Sequence, residues 1–174
     1  DMSRKTLSNY LYRDSVPVSI LLHFFDDVDD LCARVPSDIQ LGVKRNNVHI
    51  NRWIDLDETL ATLLGYFAAE GFTRDQDELQ ADKDVRQTTI SATESEAREF
   101  ALDAFETVFD ANPYEENDSK ITASGHLLAL VFEEVFECGV RAAEKRVPRQ
   151  LFTAPQEVVA AYLGGYLSGD GDVD

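Results

Sequence analysis

The chain has 174 residues, of which 44% are hydrophobic and 10% aromatic, a composition that excludes a disordered chain and suffices for one folded domain. Its 33 acidic residues face 16 basic ones, and the formal net charge of −17 argues against a general affinity for nucleic acid. The two cysteines lie far apart without a CxxC pair, which argues against a disulfide framework or a zinc site. No apolar run approaches the ~18 residues that span a bilayer, so we predict a cytoplasmic protein without a membrane partner.

The first third of the chain carries one helical pattern. Residues 1–14 are polar and mixed. Apolar side chains near helical spacing then predict a helix over 18–35, which Pro36 ends. Residues 43–54 alternate only weakly between polar and apolar side chains, which indicates a short strand or a loop.

From residue 58 onward, helical and strand-like patterns follow a regular order. Asp57 is suited to cap a helix that Gly71 ends, and Ser95 is suited to cap a later one. The predicted elements are helix 58–70, strands within 72–86 and 87–93, helix 96–109, a hairpin over 114–125, helix 127–136 and helix 156–170. This order indicates an α+β fold of the pattern αββαββα, followed by one further helix.

The first and last of these helices resemble each other in sequence: LLGYFAAEG (63–71) and YLGGYLSGDG (162–171). The glycines Gly65 and Gly165 are 100 residues apart, and a repeat of that period indicates duplication of a domain-sized unit. Small residues recur four apart, on one helix face, as Gly65 and Ala69 and then as Gly165 and Gly169. Such faces let two helix backbones approach closely, so we predict that the two helices pack against each other.

Each of the two helices ends in an acid, Glu70 or Asp170, at the end where the helix dipole disfavours negative charge. If the helices cross in parallel, both acids lie at the same end, among unpaired carbonyl oxygens. Such oxygens suit a hard divalent cation such as Mg²⁺, which would make this end favourable for an acid. The alternative is two ordinary helices with glycine caps and exposed acids.

The two motifs resemble the paired motifs of LAGLIDADG homing endonucleases, specifically the kind embedded in inteins. The segment KRVPRQLFTAPQEVVAAYLGGYLSGDG (145–171) resembles the connector between the two halves of such an enzyme. The resemblance implies a first LAGLIDADG half-domain over 55–152 and, over 153–174, the first helix of a truncated, pseudo-symmetric second half. It also implies that 1–54 joins the nuclease to the splicing domain of an intein. The implied activity is metal-dependent, site-specific cleavage of both DNA strands at the intein-free allele.

By motif position, the resemblance makes Glu70 and Asp170 the catalytic, metal-binding acids and Lys145 the connector lysine that assists the chemistry. Phosphodiester hydrolysis needs an activated water and a stabilised phosphate, which two acids sharing Mg²⁺ and a nearby ammonium supply. The family lays its sheet in the major groove of DNA. The residues expected to contact DNA there are Arg74, Gln76, Lys83, Arg86, Gln87 and Thr89.

The acidic composition departs from the basic sheet that such a nuclease normally needs. Asp75, Asp77, Asp82 and Asp84 interleave with the expected DNA contacts and would repel phosphate. Dispersed acid with few lysines resembles proteins of extreme halophiles, where molar salt screens the repulsion; the alternative is an ordinary acidic domain.

Two other functions stay open. One is a degenerate, non-cleaving DNA-binding module derived from the nuclease, and the other is an acidic protein-interaction domain whose motifs serve only helix packing. Because the chain neither begins with a splicing nucleophile nor ends in His-Asn, we expect it to be an internal piece of a larger intein.

Overall fold

The computed structural model describes residues 3–12, 15–43, 48–75 and 86–170. The chain divides into two compact units, Asp1–Ile39 and Gln40–Asp174. The α+β class predicted from the pattern is confirmed by the helices and antiparallel sheets of the second unit.

The first unit contains three short helices: α1 (Arg4–Tyr12), α2 (Val18–Leu21) and α3 (Val28–Arg34). The prediction of one continuous helix over 18–35 is therefore wrong. The break has a local cause, because the Asp27 carboxylate accepts a hydrogen bond of 2.8 Å from the backbone N–H of Asp30 and starts a new helix there. An aspartate that satisfies an unpaired N–H in this way stabilises a helix start by about 1 kcal/mol.

The second unit begins with a two-stranded sheet and continues with helices around a four-stranded one. Its elements are β1 (Gln40–Gly42), β2 (His49–Asn51), α4 (Glu58–Glu70), β3 (Gly71–Asp75), β4 (Arg86–Ser91), α5 (Ser95–Phe109), β5 (Pro113–Asn117), β6 (Lys120–Ser124), α6 (His126–Leu130) and α7 (Gln156–Asp170). The predicted order of helices and strands is confirmed. The larger sheet is antiparallel throughout, with strand order β3–β4–β6–β5.

Local capping explains where two of these helices begin. The Asp57 carboxylate accepts a hydrogen bond of 2.9 Å from the backbone N–H of Leu60, so the predicted cap and start of α4 are confirmed. The predicted cap at Ser95 is wrong: Ser95 is already helical, and Glu94 occupies the capping position without a side-chain hydrogen bond.

The predicted helix over 127–136 changes its winding halfway. After α6, residues Val131–Val135 form one turn of π-helix. Within that turn, the Glu133 carboxylate accepts hydrogen bonds from Thr73 of β3 and Arg86 of β4. Turns of this kind are rare, form mostly as single turns within α-helices and are frequent at functional sites.

The core lies between the helices and one face of the larger sheet. Residues opposite one another on neighbouring strands share a face, and Ile90 is opposite Ile121. Both are fully buried, together with Leu64, Phe67 and Phe105 from the helices. The opposite face, here called the outer face, carries the alternate residues of each strand, which are mostly polar. Its members include Phe72, Arg74, Gln87, Thr89, Ser91, Tyr114, Asn117, Lys120, Thr122 and Ser124.

Candidate active site and nucleic-acid interface

Helices α4 and α7 touch backbone to backbone. A Cβ atom added to Gly65 would lie 2.2 Å from the carbonyl oxygen of Tyr162, and one added to Gly165 would lie 2.2 Å from the carbonyl oxygen of Thr62. The Thr62 hydroxyl also donates a hydrogen bond of 3.4 Å to the Ala161 carbonyl. Since no real Cβ comes so close to another atom, only glycine permits this approach at positions 65 and 165.

The contact continues toward the C-terminal ends of both helices. A Cβ added to Gly169 would lie 2.7 Å from the Cβ of Ala69. The contact of position 65 with 166, where the added Cβ would lie 2.7 Å from the backbone nitrogen, is followed by that of 69 with 169. The two chains advance in the same direction along this contact, so the helices run parallel. Gly164 lies off this contact, because a Cβ there would meet no atom of the described residues within 4 Å.

The two predicted metal-binding acids follow directly after the last of these contacts. Glu70 and Asp170 are the final residues of α4 and α7, and both are exposed. The parallel packing therefore brings the two carboxylates to the same end of the helix pair. Within the described ranges, no group of three or more His, Cys, Asp or Glu residues could hold a metal ion. From the described residues, an ion at this end would have two carboxylates, backbone carbonyls and water as ligands.

Lys145 reaches the same end from the connector before α7. Its ammonium donates a hydrogen bond of 2.6 Å to the carbonyl oxygen of Phe67 and lies 3.6 Å from the centre of the Phe67 ring. That carbonyl belongs to the last turn of α4, where a positive charge is favoured by the helix dipole. Because Glu70 comes three residues after Phe67, Lys145 places a positive charge near the first of the two acids.

The connector is shaped to deliver this lysine. Gly139 has a left-handed backbone with φ of 78°, and a Cβ there would lie 2.1 Å from the carbonyl oxygen of Glu144. The backbone N–H of Arg146 closes the loop with a hydrogen bond of 3.1 Å to the Cys138 carbonyl. Only glycine satisfies both requirements at position 139, so this residue positions Lys145 although it takes no part in the site itself.

Burial lowers the pKa of Lys145 from 10.5 to about 8, while the negative charge of Glu70 opposes that shift. The neighbouring Cys138 thiol is fully buried, and burial raises its pKa to about 12, so the thiol is neutral near pH 8. Lys145 therefore changes its charge in a pH range where a lysine on the surface stays protonated.

A first prediction concerns stability between pH 8 and pH 10.5. The unfolded chain holds the proton of Lys145 more tightly than the folded chain does, so the free energy of unfolding should rise with pH across this window. Lys145→Met should flatten that rise, whereas Lys120→Met, at the outer face, should leave it in place. Urea unfolding at a series of pH values measures the slope. An equal slope in wild type and Lys145→Met would refute a lowered pKa of the Lys145 amine in the folded protein.

The predicted DNA contacts fall into different environments. Arg74 lies on the outer face with a side chain that is 36% exposed. Gln87 and Thr89 belong to the same face but are buried. Arg86 belongs to the helix-facing side and forms a 2.7 Å ion pair with Glu133, so its charge is used within the fold. Gln76 and Lys83 lie outside the described residues.

The outer face carries a hydrogen-bond network that the sequence reading missed. Arg74 donates to Gln87 through Nε at 2.8 Å and to Glu116 through Nη2 at 2.8 Å. Gln87 in turn donates to the Tyr114 hydroxyl at 2.9 Å and to the Ser124 hydroxyl at 3.2 Å. Alternation of polar and apolar residues along 120–124 was the available signal, but the register with β4 depends on contacts distant in sequence.

Comparison with other proteins gives the wider context of the chain. No protein-family profile matches it. It is 38% identical over 164 residues to a DNA polymerase II large subunit of Thermococcus kodakarensis, covering 94% of this chain and 9% of that protein. It is 30% identical over 174 residues to a DNA polymerase II large subunit of Haloquadratum walsbyi, covering 97% of this chain and 8% of that protein.

A protein of different name gives a similar match. A DNA polymerase of Thermococcus kodakarensis is 35% identical over 134 residues, covering 74% of this chain and 7% of that protein. The chain thus spans less than a tenth of the length of the relatives it matches. Among the described residues, no helix has the length and apolar character needed to cross a membrane.

Proposed function

We propose that this chain is part of a LAGLIDADG homing endonuclease carried by an intein, and that it cleaves both strands of the intein-free gene of its host. The observation that carries the proposal is the parallel, glycine-mediated contact of α4 and α7 that ends in Glu70 and Asp170. The helix dipole disfavours an acid at each of these two helix C-termini, and a bound cation would remove that cost.

The relatives support an inserted element. The two differently named polymerases of Thermococcus kodakarensis each contain a stretch similar to this chain, and in each the rest of the protein lies outside the match. A short stretch shared by different large proteins of one organism is what a mobile insertion produces. We infer that the host of this chain is a DNA polymerase, most simply the DNA polymerase II large subunit, with the intein's splicing domain as a neighbour in the chain.

The donor set at the helix ends fits Mg²⁺, because this ion prefers carboxylate oxygens and keeps several water ligands. Glu70 and Asp170 would hold it, and when bound it would make a water more acidic and stabilise charge on the phosphate. Lys145 adds a positive charge beside Glu70 for the scissile phosphate. Above pH 8 that charge is lost, so cleavage that depends on it should fall.

The sheet would read the DNA through its outer face. The net charge of −17 opposes this binding in dilute salt, so we propose that the protein works in molar salt. There the Debye length is ~3 Å, and only groups in direct contact with DNA matter. DNA binding then depends on the basic side chains of the outer face. In the described part of this face they are Arg74 and Lys120.

The side of α7 away from α4 supports a second half-domain. Leu163, Leu167 and the preceding Phe152 are 51%, 58% and 77% exposed. We propose that these residues pack on a second, pseudo-symmetric half of the nuclease in the longer protein. Residues 153–174 would be the start of that half, and 55–152 the first half.

Leu167→Ser tests this packing, because its effect on the free energy of unfolding should differ between the 174-residue chain and the longer protein. In the 174-residue chain the side chain is exposed, and the free energy of unfolding should change by no more than about 0.5 kcal/mol. In the longer protein the same substitution should lower it by about 1–3 kcal/mol, because the leucine is buried there. Urea unfolding of both chains gives the answer, and an equal effect in the two would contradict the second half-domain.

Cleavage of DNA tests the function itself. The longer protein that contains this chain is incubated with Mg²⁺ and molar KCl on the intein-free host gene, with the intein-containing gene as the control. Site-specific double-strand cuts in the intein-free gene alone are expected. Binding to that gene without cuts would favour a degenerate nuclease, a reading to which the burial of Gln87 and Thr89 and the pairing of Arg86 lend weight. If the protein neither binds nor cleaves this gene, an acidic protein-interaction domain is the function that stays open.

A further inference from the structure

One arginine on the outer face is held in place by all four strands of the larger sheet. Arg74 of β3 donates to Gln87 of β4 and to Glu116 of β5. Gln87 cannot turn freely, because its amide donates to Tyr114 of β5 and Ser124 of β6. Gln87, which accepts the hydrogen bond from Nε of Arg74, therefore has a fixed orientation.

The second partner of Arg74 is fixed in the same way. Thr122 of β6 donates a hydrogen bond of 3.1 Å to the Glu116 oxygen that also accepts from Arg74. Because the Thr122 hydroxyl donates to Glu116, it accepts the 3.0 Å hydrogen bond that joins it to the Thr89 hydroxyl. The hydrogen bond from Arg74 is the main reason that the pKa of Glu116 lies below its usual range, so the carboxylate stays charged at neutral pH.

This arrangement leaves the guanidinium partly accessible and rigid. A guanidinium has five N–H donors, and within the described part of the chain Arg74 uses two of them. Its side chain is 36% exposed. An arginine whose plane is already set loses little side-chain entropy on binding, and a fork of two N–H groups matches the O6 and N7 acceptors of guanine. Adenine carries an amino group, a hydrogen-bond donor, at the position of O6, so the same two N–H groups cannot both bind it.

We propose that Arg74 reads one guanine in the major groove of the target DNA and that Glu116 is the residue that positions it. This inference rests on the proposed function, because it names part of the sequence which that nuclease recognises. Glu116 also cancels the net charge of Arg74, so the pair gains little from phosphate attraction. The pair thus contributes discrimination between bases more than general affinity.

The test is binding of the longer protein to its intein-free target in molar KCl, with guanines replaced one at a time by 7-deazaguanine. This base keeps its pairing but lacks the N7 acceptor. One replacement should weaken binding by wild type about 10-fold. The same replacement should have no effect on Arg74→Met, which has no N–H donor to offer the guanine N7.

Glu116→Gln should lose most of this 10-fold discrimination and bind unrelated DNA more tightly, because the arginine is released. Glu115→Gln is the matched control: it removes the same charge from the same strand, but Glu115 lies 3.7 Å from Arg98 and not at Arg74. Thermal melting of each variant checks that it folds, and Thr122→Val gives a second way to loosen Glu116.

The outcomes separate this inference from the proposed function. If wild type binds its target specifically and no single 7-deazaguanine matters in an Arg74-dependent way, the guanine contact is refuted and the nuclease stands. Equal discrimination in Glu116→Gln, Thr122→Val and wild type would refute the positioning role alone. Absence of any specific binding by wild type would overturn both proposals.

Discussion

Glu70→Gln and Asp170→Asn should each lower the rate of double-strand DNA cleavage by at least about 10²–10³-fold while leaving binding to the target intact. Each substitution replaces a charged oxygen by a neutral group of the same shape at the shared end of α4 and α7. Both acids are exposed, so neither change leaves a buried group unpaired, and stability should be nearly unaffected. When no metal is bound, removing a negative charge does not weaken attraction to the DNA backbone.

The measurement is single-turnover cleavage of the intein-free gene in Mg²⁺ and molar KCl, alongside binding of the same DNA in EDTA. Glu106→Gln is a suitable control, because it removes one exposed carboxylate from α5, which is neither of the two helices that end in the acids. Wild-type rates in both acid variants would refute a metal site at the helix ends. Loss of rate in the control as well would indicate a general effect of charge.

Gly65→Ala and Gly165→Ala should each destabilise the chain by about 1–3 kcal/mol, although alanine is the better helix former. In both cases the new methyl group would lie 2.2 Å from a backbone carbonyl of the facing helix. A backbone atom cannot rotate away as a side chain can, so the two helices must separate along their whole contact. That separation also loosens the packing at Gly169 and shifts the two acids relative to each other.

Gly164→Ala provides the matched control within the same helix. A methyl group at position 164 meets no described atom within 4 Å, so this substitution should raise the free energy of unfolding by up to about 1 kcal/mol through helix propensity. Thermal or urea unfolding of the three variants measures the difference, with each 1 kcal/mol worth about 2–4 °C in the midpoint for a chain of this size. Three variants of equal stability would contradict the close helix contact.

Much of the fold could be predicted from local patterns. The bounds of α4 and α7 were predicted to the residue, because capping and apolar spacing are properties of a few neighbouring side chains. The same reasoning failed over 18–35, where the Asp27 cap competed with continued helix, and at the π-turn over Val131–Val135, where Glu133 contacts two distant strands. Patterns of neighbouring residues cannot predict contacts with strands that are distant in the sequence.

The sequence by itself determined the αββαββα order, the two small-residue helix faces and the acids that end them, because each depends on residues two to four apart in the chain. Only the tertiary structure decided which groups the individual basic side chains contact. It turned Arg86 to the helix-facing side and into an ion pair, brought Lys145 to the carbonyl of Phe67, and fixed Arg74 between Gln87 and Glu116. The strand register and the fold of the connector set these contacts, and both arise from packing between segments far apart in the chain.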